Sequence, residues 1–187
     1  MFFLNHQTLL KNVKKLTFDK KVEQSGAKWG IFLYLCSRMR FLGNIEAKTD
    51  AKGRVFLPAT FRKVLQQEGV EQLVLRKDVH EKCLVLFPCS VWEEQEDALR
   101  KRLNRWNKQQ QQMFRRFVSD VEMVTLDGNG RFLVPRRFQE AAEIEQSVRF
   151  IGVGDTIEIW SEAEYSKFAE QNDDFAEALE QMMAVDN

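Results

Sequence analysis

Two short stretches of the chain carry the residues with the clearest chemical capacity. Each reads Asp-x-x-Gly-Arg, the first from Asp50 to Arg54 and the second from Asp127 to Arg131. An aspartate at a tight turn can accept hydrogen bonds from backbone N–H groups two residues on, and glycine suits the exit of such a turn. A guanidinium held there can bind phosphate or donate two hydrogen bonds to guanine. The pattern predicts two arginines presented to an anionic or nucleic-acid ligand.

The same spacing allows a second role for both arginines. Arg54 can form an ion pair with Asp50 and Arg131 with Asp127, so that each pair holds its own turn. The two roles are compatible, because an aspartate can orient an arginine that also faces DNA. Both interpretations remain open on the sequence alone.

The two stretches belong to an internal repeat. Five residue types recur with a constant separation of 77 residues: Asp50, Gly53, Arg54, Pro58 and Phe61, then Asp127, Gly130, Arg131, Pro135 and Phe138. Apolar and polar residues alternate before each aspartate, with the inward face predicted at Ile45, Ala47 and Thr49, then at Val121, Met123 and Thr125. Alternation is typical of a half-buried strand. Each copy is therefore predicted to open with a β-hairpin that carries its arginine at the start of the return strand.

The rest of each copy follows one order of elements. The prolines end the return strand and suit the first turn of a helix. Further strands are predicted at 72–75 and 83–87, and again at 148–151 and 156–160. Capping-box spacing at Ser90 and Ser161 predicts a helix after each copy, one long helix over 91–118 and another over about 162–183. The predicted organisation is an extension at 1–38, modules at 43–90 and 119–162, a connecting helix at 91–118 and a C-terminal helix at 163–187.

Charge placement points to the first copy as the main DNA reader. The formal net charge of the 187 residues is +0, so any contact with DNA must come from local patches. Between residues 40 and 63 the acidic residues are only Glu46 and Asp50, whereas the second copy has Gly128 and Asn129 in its turn. The predicted DNA-binding residues are Arg54, Lys52, Lys48, Arg40, Arg62, Lys63 and Arg131, with Asp50, Gly53, Asp127 and Gly130 shaping the turns.

Other classes of function lack their residues. No nucleophile–base pair or phosphate-binding loop is evident, and Cys36, Cys83 and Cys89 have no metal-site spacing. We therefore expect no catalysis, no metal and no cofactor. No apolar stretch is long enough to span a bilayer, so we expect no membrane partner. The odd number of cysteines favours a reduced protein and hence a cytoplasmic location.

The first 38 residues do not share the repeat. They are rich in lysine, and a methionine, Met39, stands immediately before the first copy. One hypothesis is that Met39 is the true start and that 1–38 is an upstream extension of the reading frame. The alternative is a basic arm that helps to hold DNA.

The segment Met39-Arg40-Phe41-Leu42-Gly43, followed by the doubled Asp-x-x-Gly-Arg-x-x-x-Pro motif, resembles the MraZ family over roughly residues 39–170. These bacterial regulators have two tandem AbrB-like (SpoVT-type) domains, and a single motif would indicate only some AbrB-like module. The resemblance implies an α+β fold with a mainly β core. That core would be a pseudo-symmetric double-ψ, swapped-hairpin AbrB-like β-barrel, built from the two repeats and flanked by helices. The 38 leading residues depart from the family pattern.

The resemblance also implies a function. It implies a homo-oligomeric ring that binds double-stranded DNA at repeated promoter sites of the division and cell-wall gene cluster, controls transcription there and associates with the nucleoid. The family's Asp-x-x-x-Arg signature falls on Asp50 and Arg54, and on Asp127 and Arg131. A ring would let several modules engage repeated sites together. Two alternatives are a ring-forming protein-interaction scaffold, which zero net charge favours, and an AbrB-type antitoxin.

Overall fold

The computed structural model describes residues 40–171 and 175–184, and the leader with Met39 lies outside them. The first repeat comprises β1 (Phe41–Lys48), β2 (Arg54–Phe56), α1 (Ala59–Glu68), β3 (Gln72–Lys77) and β4 (Leu84–Pro88). Helices α2 (Cys89–Arg102) and α3 (Lys108–Ser119) lead to the second. That repeat comprises β5 (Val121–Thr125), β6 (Arg131–Leu133), α4 (Arg136–Ala141), β7 (Ser147–Gly154) and β8 (Ile157–Ser161), before α5 (Glu162–Gln171) and α6 (Phe175–Ala184).

The two repeats exchange their first strands. β1 pairs along its whole length with β7 of the second repeat, and β5 pairs with β3 of the first. The predicted hairpin within each copy is therefore only partly right: its turn forms, but β1 and β2 are linked by the single bridge Thr49–Val55. Strand alternation shows which face is buried but not which strand lies alongside, and that is why the prediction failed.

The fold is α+β, with antiparallel strand pairs. One sheet has the order β1-β7-β8-β4-β3-β5, and β2 and β6 form a separate two-stranded ribbon. Among the described residues neither sheet closes on itself, so the strand pairing leaves the implied barrel unconfirmed. None of the described helices is long and apolar enough to cross a membrane.

An approximate twofold axis relates the repeats, as the strand registers reveal. In the ribbon, Val55 pairs with Phe132, its equivalent in the second repeat. On either side, Arg54 pairs with Leu133 and Phe56 with Arg131, so the two pairs are related by the same axis. In the large sheet, Val85 of β4 faces Glu158 of β8 in the same way. The axis passes through both central pairs, so whatever one repeat contributes on one side the other contributes opposite.

Phenylalanines from both repeats fill the main core. Phe41, Phe61, Phe132, Phe138 and Phe150 are each at most 2% exposed, and the Phe41 and Phe61 rings meet edge to face at 5.8 Å. One apolar face of each proline-started helix is buried: Phe61 and Leu65 of α1, and Phe138 of α4 with the adjoining Ala142. A second cluster, centred on Phe87 and Trp92, lies where α2 and α3 meet β3 and β4.

The predicted inward face of β5 is wrong. Val124 is buried and Leu126 packs against the core, whereas Met123 is 54% exposed. Val124 is the equivalent of Ala47 in the second repeat. Val124 pairs with Leu73 of β3, just as Ala47 pairs with Val148 of β7. In the run 121–126, apolar residues occur at both the odd and the even positions. The alternation therefore could not decide which set faces the core.

The single helix predicted over 91–118 is two helices. Leu103 leaves α2 with extended backbone, and the side chain of Asn107 caps α3 by accepting a hydrogen bond from the N–H of Gln110. No proline or glycine marks this break in the sequence. The capping box at Ser90 is also wrong, because α2 begins at Cys89, directly after Pro88. The cap at Ser161 is present, since its hydroxyl accepts a hydrogen bond from the N–H of Glu164 at 3.3 Å.

The strand exchange predicts that neither repeat folds alone. A fragment of residues 40–119 lacks the partner of β1 and one of the two partners of β3, which keeps β4. A fragment of residues 120–187 lacks the partner of β5 and one of the two partners of β7, which keeps β8. We expect neither fragment to unfold cooperatively in thermal circular dichroism, and an equimolar mixture to regain a cooperative transition. A cooperative transition in either fragment alone would contradict the exchange.

Candidate nucleic-acid interface

The first Asp-x-x-Gly-Arg turn is organised by the carboxylate of Asp50. Oδ1 accepts hydrogen bonds from the backbone N–H groups of Lys52 and Arg54, both at 2.9 Å. Oδ2 accepts from the Arg54 guanidinium through Nε at 2.8 Å and Nη2 at 2.7 Å. One carboxylate thus shapes the turn and fixes the direction of the arginine.

The second turn repeats this geometry. Asp127 Oδ1 accepts from the N–H groups of Asn129 and Arg131 at 2.9 Å, and Oδ2 accepts from Arg131 Nε at 2.8 Å. Both predicted ion pairs are therefore present. The pKa values of Asp50 and Asp127 lie below the ordinary value, chiefly because the backbone N–H of the arginine stabilises each ionised carboxylate.

Each turn is tied to the opposite repeat by a backbone hydrogen bond. The N–H of Val134, just after β6, donates to the carbonyl of Gly53 at 3.0 Å, and the N–H of Leu57, just after β2, donates to the carbonyl of Gly130 at 3.0 Å. Gly53 and Gly130 have φ of 77° and 79°, a left-handed conformation that glycine adopts without steric cost. The two turns therefore hold each other across the approximate twofold axis.

Two helix side chains complete this reciprocal contact. Arg62 of α1 lies against Gly130, where a Cβ atom would collide with its guanidinium, and its Nη1 donates to the carbonyl of Asn129 at 3.1 Å. Gln139 of α4 takes the equivalent position against Gly53 and donates to the carbonyl of Val134 at 2.6 Å. Arg62, a predicted DNA contact, thus braces the second turn.

The ribbon of β2 and β6 presents both arginines on one face. Val55 and Phe132 are buried beneath it, while the register places Arg54 beside Leu133 and Phe56 beside Arg131 on the outer side. Phe56 and Leu133 are each 52% exposed, and the Arg131 guanidinium lies 5.5 Å from the centre of the Phe56 ring. We call this surface, made by Arg54, Phe56, Arg131 and Leu133, the ribbon face. The sequence reading missed its two apolar members, although the alternation in 54–56 and 131–133 would have revealed them.

A groove of about 540 Å³ lies along the ribbon face. Four basic residues line it, namely Lys48, Arg54, Arg62 and Arg131, against two acidic ones, Glu46 and Asp50. Glu46 is itself bound by Arg149 at 2.7 Å, and Asp50 by Arg54. The balance at the groove is positive, and its shape and charge suit a phosphate-bearing ligand.

The other predicted DNA contacts differ in position. Lys52 is exposed in the first turn, and Lys63 is exposed on α1 beside Arg62 but does not line the groove. Arg40 precedes β1, whereas Lys48 ends it. At a rise of about 3.3 Å per residue, Arg40 lies about 26 Å away from Lys48. The structure therefore does not bring Arg40 to the groove.

The cysteines and acidic side chains of the described residues do not form a metal site. Cys83 is buried, and burial raises the pKa of its thiol, which favours the unreactive protonated form. In the part of the chain that the structure describes, no group of three or more His, Cys, Asp or Glu side chains could hold a metal ion.

Two repeats that exchange strands about an approximate twofold axis, each with an Asp–Arg turn, define a tandem-repeat α+β protein. A family model described as "MraZ protein, putative antitoxin-like" matches this chain twice, at residues 40–117 and 117–186. The chain belongs to the MraZ family, which confirms the resemblance.

Several curated relatives carry the name "Transcriptional regulator MraZ". That of Phocaeicola vulgatus is 60% identical over 149 residues, covering 80% of this chain and 97% of the relative. That of Bacteroides fragilis is 54% identical over 145 residues, covering 78% and 92%. That of Pseudomonas syringae pv. syringae is 32% identical over 130 residues, covering 70% and 85%. The family is not one of enzymes, which confirms that prediction.

The lowered pKa values of the two aspartates predict a pH dependence of stability. Because each folded-state pKa lies below the ordinary 3.8, the aspartates stabilise the fold above about pH 4, and their contribution is lost as the pH falls through the folded-state values. Asp50→Asn with Asp127→Asn should therefore flatten the loss of unfolding free energy between about pH 5 and pH 3, measured by urea titration. An unchanged slope would contradict this.

The packing of Arg62 on Gly130 predicts coupled substitutions. Gly130→Ala should cost roughly 1–2 kcal/mol from the left-handed backbone alone, and more because of the collision with Arg62. Combining it with Arg62→Ala should relieve the collision, so the double variant should unfold at a higher denaturant concentration than additivity predicts. Gly53→Ala with Gln139→Ala is the matched pair on the other side of the axis. Strict additivity in both pairs would contradict the packing.

Proposed function

We propose that this protein is a transcriptional regulator that binds double-stranded DNA with the ribbon face. The observation that carries the proposal is that two carboxylate-oriented arginines lie on one exposed face of a two-stranded ribbon. The relatives are named transcriptional regulators, which supports the regulatory part of the proposal.

The dimensions of a ribbon suit the major groove, which admits two antiparallel strands. Arg54 and Arg131 would each donate two hydrogen bonds to a guanine. Phe56 and Leu133 would contact thymine methyl groups beside them, the usual apolar feature of that groove. Since the axis relates the two halves of the ribbon, the preferred site would be short and nearly symmetric. This proposal gives the second repeat a larger part in reading DNA than the sequence predicts.

The lysines would supply affinity rather than sequence preference. Lys48 lines the groove and Lys52 is exposed in the turn, positions from which both would contact phosphates. Lys63 would reach a phosphate at the edge of the site. Arg62 would act mainly by holding the second turn, and Arg40 would contact only DNA that extends well beyond the ribbon.

The wider setting proposed for this regulator follows the family resemblance. Each copy would form a closed AbrB-like barrel, and several copies would assemble into a ring. The ring would bind repeated promoter sites of the division and cell-wall gene cluster, in the cytoplasm at the nucleoid. One ribbon makes few phosphate contacts, so repeated modules on repeated sites would multiply a modest affinity.

The test is fluorescence anisotropy of the full chain on DNA from upstream of its own gene, against shuffled DNA, across a salt series. We expect tighter binding to the native sequence and a steep loss with salt. Arg54→Ala and Arg131→Ala should each weaken binding to the native sequence about ten-fold to a hundred-fold and reduce the preference over shuffled DNA. Arg136→Ala, at an exposed arginine on α4, is the matched control.

Two results would redirect the proposal. Equal, weak binding to both DNAs that Arg54→Ala leaves unchanged would favour the protein-interaction scaffold. The description of the family model as antitoxin-like favours the other alternative, and co-purification of a small toxin would support it.

A further inference from the structure

Helices α2 and α3 form a hairpin that projects from the sheet. Its base is fixed where Trp92 of α2 stacks on Phe117 of α3, with ring centres 5.0 Å apart. Beyond Trp92 no residue of either helix is buried, and Arg100 lies over the Phe114 ring at 4.9 Å. At about 1.5 Å per residue, Arg102 lies about 15 Å along α2 from Trp92. The tip at 103–107 therefore stands clear of the core.

This tip is ordered, yet it presents a tryptophan to solvent. Asn104 Oδ1 accepts from the N–H of Trp106 at 2.9 Å, and Gln110 Oε1 accepts from the N–H of Asn104 at 2.6 Å. The side chain of Asn107 caps α3 at 3.1 Å. Within this network Trp106 is 96% exposed. A large apolar ring held in solvent by a fixed loop is typical of an interaction site, where tryptophan contributes strongly to binding.

Positive charge is concentrated from the end of α2 onward, whereas the first half of α2 is acidic. Residues 100–118 contain seven basic residues and no acidic one, although the whole chain has a net charge of +0. Arg100 is paired with Glu96 at 3.0 Å, whereas Lys101, Arg102 and Arg105 are exposed. The surface around Trp106 is therefore strongly basic.

The C-terminal helices carry the opposite charge. Together α5 and α6 contain five acidic residues and one basic residue, Lys167. On α6, Glu177 and Glu180 lie among exposed apolar side chains: Phe175 is 68% exposed, Met182 75% and Met183 70%. This surface has the complementary character, acidic and apolar where the hairpin tip is basic and aromatic.

We propose that the hairpin tip of one copy binds the α6 surface of a second copy. α2 begins directly after β4, and α5 begins directly after β8, so the two helical segments follow opposite repeats. The contact would be head to tail: each copy would offer its basic tip to one neighbour and its acidic helix to another. Such contacts close into a ring or continue as a filament.

A second copy explains more than nucleic acid does. DNA would neutralise the basic tip, but it would be repelled by the carboxylates of α6 and would leave the apolar side chains there exposed. A second copy covers both surfaces in one contact. The contact does not depend on the ribbon face, and it would supply the assembly that the proposed function includes.

Charge reversal tests this contact in the full chain. The hairpin variant is Lys101→Glu, Arg102→Glu and Arg105→Glu, and the helix variant is Glu177→Lys and Glu180→Lys. We expect the wild type to assemble, and each variant alone to have the mass of a monomer by light scattering. An equimolar mixture of the two should recover the wild-type assembly, because each variant then meets its complement. The control is Glu68→Lys with Glu71→Lys, exposed positions near the end of α1, which should keep the wild-type mass.

Trp106→Ala provides a second measurement that leaves the charges unchanged. It should weaken self-association at least ten-fold, and iodide should quench Trp106 less in the assembled wild type than in the dissociated hairpin variant. The proposal is overturned if the wild type is monomeric, if either charge variant keeps its mass, or if the mixture stays monomeric. A hairpin variant that keeps its mass but loses DNA affinity would assign the tip to nucleic acid instead.

Two readouts keep this inference separate from the proposed function. Arg54→Ala should retain the wild-type mass, since the ribbon face takes no part in the contact, and a fall in its mass would count against the proposal. DNA preference is measured by anisotropy and self-association by mass, so the failure of either is recognised on its own.

Discussion

The ribbon depends on the contacts by which each repeat fixes the Asp-x-x-Gly-Arg turn of the other. Gly53 and Gly130 each accept a backbone hydrogen bond from the other repeat, and Arg62 and Gln139 pack where a Cβ atom would stand. A buried or enclosed turn must find partners for its backbone groups, and here each repeat supplies them to the other. The strands that leave the turns are thereby fixed in register. The ribbon face exists only because both repeats are present.

This arrangement assigns the Asp–Arg pairs a positioning role. Both pairs are substantially exposed, and exposed ion pairs contribute little to stability because solvent screens them. What each aspartate provides is direction, since its other oxygen is fixed by two backbone N–H groups. An arginine oriented in this way loses less conformational freedom on binding. In the proposed function, the signature would therefore act as a preorganised donor rather than as a structural salt bridge.

Local features were predictable from the sequence, and the partners of strands were not. The Asp turns, the proline-started helices and the buried faces at Phe61 and Phe138 follow from spacing within a few residues. The exchange of β1 and β5 depends on pairings between residues 99–113 positions apart for β1 and 45–53 positions apart for β5. Alternation within one strand does not encode such pairings. The alternation within 54–56 and 131–133 is enough to place Phe56 and Leu133 on the same faces as the arginines. Only the pairing of β2 with β6 joins the four side chains into one surface.

Net charge was the least informative property of the chain, and the fold explains why. A total of +0 suggests a surface without electrostatic preference, yet residues 100–118 and 161–184 are strongly charged with opposite signs. The two segments follow equivalent positions of the two repeats, so their opposite charges break the pseudo-symmetry of the fold. A symmetric pair of repeats with asymmetric appendages has distinct head and tail surfaces, as a heterologous contact requires. The repeated modules form a symmetric ribbon. The flanking helices differ in charge, so one helical surface is basic and the other is acidic.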